Sequence, residues 1–169
     1  MATRFDELIP LLAQAQVEFI IIGGVAARVH GSARLTEDLD IAYRRTHENI
    51  QRIVQALAPY DPYVRGAPRG LPFQWDERTI HNGLNFTLTT TLGSIDLLGE
   101  VTGGGTYDDL LPHAVIREFY RQRCLCLDVE MLIRVKRAAG RPKDFEAIAE
   151  LEAIVEERRL LEDRNPPSQ

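Results

Sequence analysis

The chain has 169 residues and a formal net charge of −5, with 44% apolar and 27% charged residues. Its length allows one domain with a sizeable core. Its acidity argues against a surface devoted to nonspecific nucleic-acid binding, although a local basic cleft stays open. Two cysteines, Cys124 and Cys126, are too few for a zinc site or a disulfide framework. No signal peptide or membrane-spanning run is evident, so we expect a cytoplasmic protein with no membrane partner.

The first part of the chain shows helix and strand patterns in alternation. Helices are predicted over residues 4–16, 25–30 and 46–58, and strands over residues 17–22 and 37–43. Thr46 is predicted to cap the third helix, and Pro59 is predicted to end it. The short second helix follows Gly23-Gly24, which we interpret as a turn that can bring backbone N–H groups against phosphate.

The middle of the chain is predicted to hold a loop and then a hairpin. Residues 59–77 are rich in proline and glycine and include Arg65 and Arg69, so we interpret them as a loop that orders around a ligand. The strands of the hairpin are predicted over residues 84–91 and 94–98, with Gly93 in the turn.

The last part of the chain is predicted to be mainly helical. Short extended pieces around residues 114–127 precede a helix over 129–139, capped by Asp128 and ended by Gly140. A final helix opens at Arg141-Pro142 and runs to Arg164. Its buried stripe is predicted to consist of Phe145, Ile148, Leu151, Ile154 and Val155.

Together these elements predict an α/β (α+β) fold with a short mixed β-sheet and helices packed on it. The predicted organisation is a core over residues 1–127, a C-terminal helical pair over 128–164 packed on that core, and a polar tail over 165–169.

Three aspartates are the main candidates for chemistry. Side chains at positions i and i+2 of a strand share one face, so Asp38 and Asp40 are expected to present two carboxylates together. Asp96 is out of phase with its apolar neighbours and is expected to project from the same sheet face. Adjacent anions repel each other, and Mg²⁺, which prefers oxygen ligands, would neutralise them. Three such carboxylates suit a two-metal site for phosphoryl or nucleotidyl transfer.

Structural interpretations of the same residues remain open. Asp38 and Asp40 would also fit an exposed strand face, and Glu100 is a less favoured alternative to Asp96 as the third carboxylate. Arg34 and Lys136 fit phosphate binding and solvated surface positions equally well.

One motif resembles a known family. Ile22-Gly23-Gly24, thirteen further residues and then Asp38-Leu39-Asp40 resemble the signature of the polymerase-β-like nucleotidyltransferase superfamily. His30-Gly31-Ser32 and the run over residues 139–144 are similar to small bacterial members, which include abortive-infection nucleotidyltransferase toxins. The resemblance covers roughly residues 5–155.

The resemblance implies a nucleotidyltransferase core that binds a Mg²⁺–nucleoside triphosphate between the sheet and the helical tail. It implies that Asp38, Asp40 and Asp96 are the metal-binding and catalytic residues and that the glycine pair contacts the triphosphate. Gly24 stands where many relatives have serine, and Ser32 or Thr36 is the candidate source of the missing hydroxyl. The residues predicted to lie at the nucleotide are therefore Gly23, Gly24, Ser32, Arg34, Thr36 and Lys136.

The predicted activity is transfer of a nucleoside monophosphate from an NTP to a hydroxyl acceptor with release of pyrophosphate. The acceptor is an RNA end, a protein or a small molecule, and the cofactor is two Mg²⁺ ions or Mn²⁺ in their place. Resemblance alone suggests a toxin–antitoxin or phage-defence role, with a cognate toxin or antitoxin protein as partner. Two rivals stay open: a non-catalytic nucleotide- or partner-binding module that keeps the fold, and a metal-dependent phosphohydrolase.

Overall fold

The computed structural model describes residues 2–166, so residues 167–169 of the predicted polar tail lie outside the described residues. Within the described range the α-helices are α1 (Phe5–Gln14), α2 (Gly23–Val29), α3 (His47–Leu57), α4 (Glu77–Asn82), α5 (Tyr107–Leu110), α6 (Val129–Ala139) and α7 (Asp144–Arg164). The strands are β1 (Phe19–Ile22), β2 (Asp38–Tyr43), β3 (Tyr63–Val64), β4 (Asn85–Thr90), β5 (Gly93–Leu98), β6 (Ala114–Phe119) and β7 (Gln122–Leu127). These elements confirm the predicted α/β (α+β) class.

All of these strands belong to one mixed sheet in the order β3-β4-β5-β2-β1-β7-β6. The hairpins β4–β5 and β6–β7 are antiparallel, and so is the pair β1–β2. The two hairpins join the central pair through parallel contacts, β5 to β2 and β7 to β1. Because β5 lies beside β2, residues from distant parts of the chain become neighbours at the middle of the sheet.

The hydrophobic pattern of the sequence explains the centre of the sheet. Every residue of β1 is buried, as expected for a strand covered on both faces. In β2, Leu39 and Ile41 are fully buried while Asp38 and Asp40 are only partly buried, which is the period of two that was predicted. Among the described helices, none is long and apolar enough to span a membrane.

The predicted caps are also present. The side chain of Thr46 accepts a hydrogen bond from the backbone N–H of Asn49, and that of Asp128 accepts one from Met131. Gly140 ends α6 in the left-handed region, at φ 64°. These local signals depend on a few adjacent residues, which is why the sequence alone located them.

The predicted first residues of two helices, α2 and α7, are wrong. Helix α2 begins at Gly23 itself, so the glycine pair forms the first turn of the helix and not a turn before it. Helix α7 begins at Asp144, after Arg141-Pro142. Phe145, predicted to be buried, is 64% exposed because α7 turns Ala147, Ile148 and Leu151 towards the core.

The predicted loop over residues 59–77 is partly ordered into regular structure. It contains the two-residue strand β3, which pairs with β4, and its last residue begins α4. Trp75 donates from Nε1 to the carbonyl of Val54, and Phe73 packs edge-on against Tyr63. Neither β3 nor α4 was predicted, because β3 is too short to show a period and depends on pairing with a strand already in place.

Candidate active site

The three predicted carboxylates come together at the centre of the sheet. In the parallel pair of β2 and β5, Asp40 lies directly opposite Asp96. Asp38 lies two residues before Asp40 on the same face of β2. We call Asp38, Asp40 and Asp96 the carboxylate cluster. Strand periodicity places Asp38 and Asp40 on one face of β2, and the parallel pairing of β5 with β2 places Asp96 beside them.

Asp40 is the most perturbed member of the cluster. Burial, reinforced by the negative charges of Asp96 and Asp38, raises the pKa of Asp40 to about 7. The ammonium group of Lys136 partly opposes this rise in the pKa of Asp40. The cluster therefore carries a carboxyl group that can exchange a proton near neutral pH.

Gly23 lies against Asp40 at the start of α2. A Cβ atom at Gly23 would lie 2.0 Å from Oδ2 of Asp40, and the residue has a φ of +65°. Both facts require glycine, because other residues rarely adopt this backbone conformation and would displace the carboxylate. Gly23 thus allows the first residue of α2 to lie in direct contact with Asp40 of the carboxylate cluster.

Gly24 and Thr36 share a second close contact. A Cβ atom at Gly24 would meet Oγ1 of Thr36 at 2.6 Å and its Cβ at 2.7 Å. The Thr36 hydroxyl therefore lies next to the place that a serine side chain at position 24 would take. Thr36 also donates from Oγ1 to the carbonyl of Asp38 at 3.2 Å. Of the two candidates for the missing hydroxyl, Thr36 is the one at the glycine pair.

Arg65, the residue that follows β3, binds the carboxylate cluster with its side chain. Its guanidinium donates from one terminal nitrogen to Oδ1 of Asp96 and to the carbonyl of Leu88, each at 2.8 Å, and from the other to Oδ2 of Asp38 at 3.4 Å. Its backbone N–H donates to the carbonyl of Thr87. Arg65 is thus a cation in direct contact with two of the three carboxylates.

Lys136 approaches the cluster from α6. Its side chain is only 15% exposed, and Nζ lies 3.9 Å from Oδ1 of Asp144. Asp144 is itself buried and accepts hydrogen bonds from Arg141. Lys136 therefore stands between a structural acid at the start of α7 and the carboxylate cluster.

Two cavities meet at Lys136. The first, of about 370 Å³, is lined by Gly23, Asp40, Asp96, Glu100, Lys136 and Arg141, among others. The second, of about 210 Å³, is lined by Gly24, Ser32, Arg34, Thr36, Lys136 and Lys143, among others. The first cavity is mainly acidic at its sheet side, whereas the second is lined by three cations and by the acids Asp144 and Glu150. All nine predicted site residues except Asp38 line one of the two.

Ser32 and Arg34 are turned towards α7. Ser32 donates a hydrogen bond from its hydroxyl to Glu150, and Arg34 pairs with Glu146 at 3.0 Å and with Glu150 at 4.0 Å. We call Ser32, Arg34, Glu146 and Glu150 the loop–α7 network. The side-chain partners of Ser32 and Arg34 in the structure are thus acids of α7, not members of the carboxylate cluster.

The carboxylate cluster fits a hard divalent ion by the chemistry of its donors. All of its side-chain donors are oxygen atoms, and the raised pKa of Asp40 reflects burial together with the negative charges of Asp96 and Asp38, which a cation would offset. Within residues 2–166, no group of three or more His, Cys, Asp or Glu side chains forms a ready metal cage. The fit therefore rests on donor type and charge.

Arg65 is the site residue that sequence reasoning missed. The sequence shows it only as one of two arginines in a segment rich in proline and glycine. Its position depends on the pairing of β3 with β4, which directs it over β4 towards β5 and β2. The only hint in the sequence was the pair Tyr63-Val64, two residues typical of strands, directly before Arg65.

The chain matches no protein-family model, and a search of curated proteins finds no significant match to it.

Proposed function

We propose that this protein is a divalent-metal-dependent nucleotidyltransferase, which moves a nucleoside monophosphate from an NTP to a hydroxyl acceptor. The observation that carries the proposal is the convergence of Asp38, Asp40 and Asp96 from two paired strands. The partly buried setting of the cluster, with the pKa of Asp40 raised to about 7, is the kind of perturbation that active sites show more often than surface charge clusters.

The proposed reaction is an in-line displacement at the α-phosphorus of the NTP. The acceptor oxygen forms a bond to that phosphorus, and the bond to the oxygen that bridges to the β-phosphate breaks. Pyrophosphate leaves with the electron pair, and the acceptor hydroxyl loses its proton. When bound, the divalent ions supply neutralisation of the phosphate charge. Asp38, Asp40 and Asp96 would hold them.

The chain's own groups have separate tasks in this scheme. Asp96, which lies opposite Asp40 on the neighbouring strand, would orient the acceptor hydroxyl or receive its proton. Lys136 lies between the two cavities and supplies positive charge for the polyphosphate. Gly23 and Gly24 leave room for close approach at the first turn of α2.

A non-catalytic binding module is the second candidate. Arg65 already bonds to Asp38 and Asp96, as would an arginine in a purely structural charge cluster. Such a module would bind Mg²⁺–NTP without turnover, or would bind a protein partner. A toxin–antitoxin or phage-defence setting is compatible with both candidates and rests on the sequence resemblance.

The deciding experiment incubates the purified protein with Mg²⁺ and each α-³²P-labelled NTP, together with total RNA or cell lysate. The nucleotidyltransferase predicts label in RNA, protein or a small molecule. We expect Asp38→Ala/Asp40→Ala to abolish that label. Asp108→Asn is the matched control, because Asp108 is an exposed acid that pairs with Arg44 and lines neither of the two cavities.

The outcomes separate the candidates. Label transfer that survives in the double variant would contradict the proposed site. Metal-dependent NTP binding without transfer to any pool would favour the binding module. Glu100→Gln, beside Asp96→Asn, tells which acid is the third functional carboxylate, since both acids line the first cavity.

A further inference from the structure

Arg65 has an unusual set of bonds for a structural arginine. Its side chain is 25% exposed, and it contacts two carboxylates that stand on different strands. The contact with Asp96 is short, at 2.8 Å, whereas the contact with Asp38 is long, at 3.4 Å. The hydrogen bond of Arg65 to Asp38 is therefore weaker than its hydrogen bond to Asp96.

The third nitrogen of the guanidinium is unused. Nε of Arg65 is buried and has no hydrogen-bond acceptor within the part of the chain that the structure describes. Buried donors are nearly always paired, and an exception calls for an explanation. Because Nε is buried, the contact that an entering ligand can replace is the long one to Asp38, and phosphate oxygens are among the best acceptors for a guanidinium.

Arg65 also competes for the oxygen atoms that a divalent ion would need. It uses Oδ2 of Asp38 and Oδ1 of Asp96, and its charge offsets part of the negative field of the cluster. A cation that enters from solvent must therefore overcome both the occupied oxygens and the repulsion of the guanidinium.

We infer that Arg65 is a positioning residue that acts as the resident counter-cation of the carboxylate cluster and keeps the affinity for a free divalent ion low. The ion then binds productively only with a polyphosphate, whose oxygens give the guanidinium an alternative partner. This inference deepens the proposed function and rests on the proposed metal site.

The test is a Mn²⁺ titration of the nucleotide-free protein, in which free Mn²⁺ is followed by electron paramagnetic resonance. We expect Arg65→Gln to bind Mn²⁺ about tenfold more tightly than the unchanged protein, because one positive charge leaves the cluster. If Arg65 only holds Asp38 and Asp96 in place, its replacement would leave these carboxylates less well positioned and would weaken Mn²⁺ binding. Equal or weaker binding by Arg65→Gln would overturn the inference.

Two further variants keep the test decisive. Arg65→Lys retains the charge but loses the fork, so we expect about threefold tighter binding, and a loss of affinity would again contradict the inference. Arg69→Gln is the matched control. Arg69 is an exposed arginine four residues further along, paired with Asp61, and its replacement should leave Mn²⁺ affinity unchanged.

The double variant Arg65→Gln/Asp40→Asn separates this inference from the proposed function. It should lose the tight Mn²⁺ binding of Arg65→Gln if the ion binds at the carboxylate cluster. If Asp40→Asn weakens Mn²⁺ binding in neither background, the metal site fails and the proposed function with it. If Asp40→Asn weakens binding but Arg65→Gln does not tighten it, the metal site stands and the role of Arg65 falls.

Discussion

Two groups of charged side chains lie at opposite ends of α2, and they shift the pKa of an acid in opposite directions. At the start of the helix, the carboxylate cluster is partly buried beside Gly23, and the pKa of Asp40 is raised to about 7. After its end, Arg34 and Glu146 of the loop–α7 network are exposed, with the side chain of Glu146 86% exposed, although Ser32 is buried. In each group an arginine pairs with acids, Arg65 with the cluster and Arg34 within the network, so composition does not distinguish them.

The difference shows what burial does to like and unlike charges. In the network, hydrogen bonds from Ser32 and Ala33 and the charge of Arg34 lower the pKa of Glu150, so its ionised form is favoured. In the carboxylate cluster, desolvation and neighbouring acids act in the other direction on Asp40. The network therefore stabilises charge, whereas the cluster holds charge at a cost that a ligand can relieve.

The largest effect is expected where the backbone itself makes room for the cluster. Gly23→Ala should lower the free energy of unfolding by about 3 kcal/mol, because the new Cβ displaces the Asp40 carboxylate and the residue has a positive φ. Chemical denaturation measures the loss. Gly66→Ala is the control, since its φ is also positive but no described atom lies within 4 Å of its Cβ. Equal losses in the two variants would contradict the close contact.

The next effect has the opposite sign. Asp40→Asn should raise the free energy of unfolding by on the order of 2 kcal/mol at pH 8 in the presence of EDTA. The folded-state pKa of Asp40, about 7, lies above its ordinary value of 3.8, so the unchanged protein loses stability as pH rises between those values. Denaturation at pH 4 and pH 8 should show the gain at the higher pH. If Asp40→Asn does not raise the free energy of unfolding at pH 8, ionisation of Asp40 does not destabilise the fold.

A smaller effect should come from the second glycine of the motif. Gly24→Ser should destabilise the fold by about 1 kcal/mol because the new side chain overlaps Thr36. Thr36→Gly, made in the same chain, removes both overlapping atoms and should restore much of the loss. The four variants of this cycle are compared by thermal unfolding. Additive losses would show that Gly24 and Thr36 do not compete for one space.

The smallest effect is expected in the loop–α7 network. Glu150→Gln should slightly destabilise the protein near pH 7, because it removes the charge that Ser32, Ala33 and Arg34 favour. The pKa of Glu150 is lowered in the folded state, so its contribution is present above about pH 4.5 and is lost as pH falls through the folded value. Melting curves from pH 3 to pH 7 should converge with those of the unchanged protein at the acid end. A gain in stability near pH 7 would reverse the contrast between the two regions.

The sequence by itself determined the features that depend on local spacing. The strand periodicity placed Asp38 and Asp40 on one face, and the residues Thr46, Asp128 and Gly140 marked helix ends. The hairpin of β4 and β5 also followed from its alternation and turn. Each of these signals involves residues a few positions apart, and short-range geometry alone gives them meaning.

Only the tertiary structure decided how the distant pieces meet. The parallel contact of β5 with β2 set Asp96 opposite Asp40, and the pairing of β3 with β4 brought Arg65 to the cluster. The same packing left Phe145 exposed and turned Ser32 towards α7. These outcomes depend on which strands pair across long stretches of chain and on what each side chain meets there. No local period of the sequence encodes such long-range contacts, so the counter-cation of the cluster became visible only in the fold.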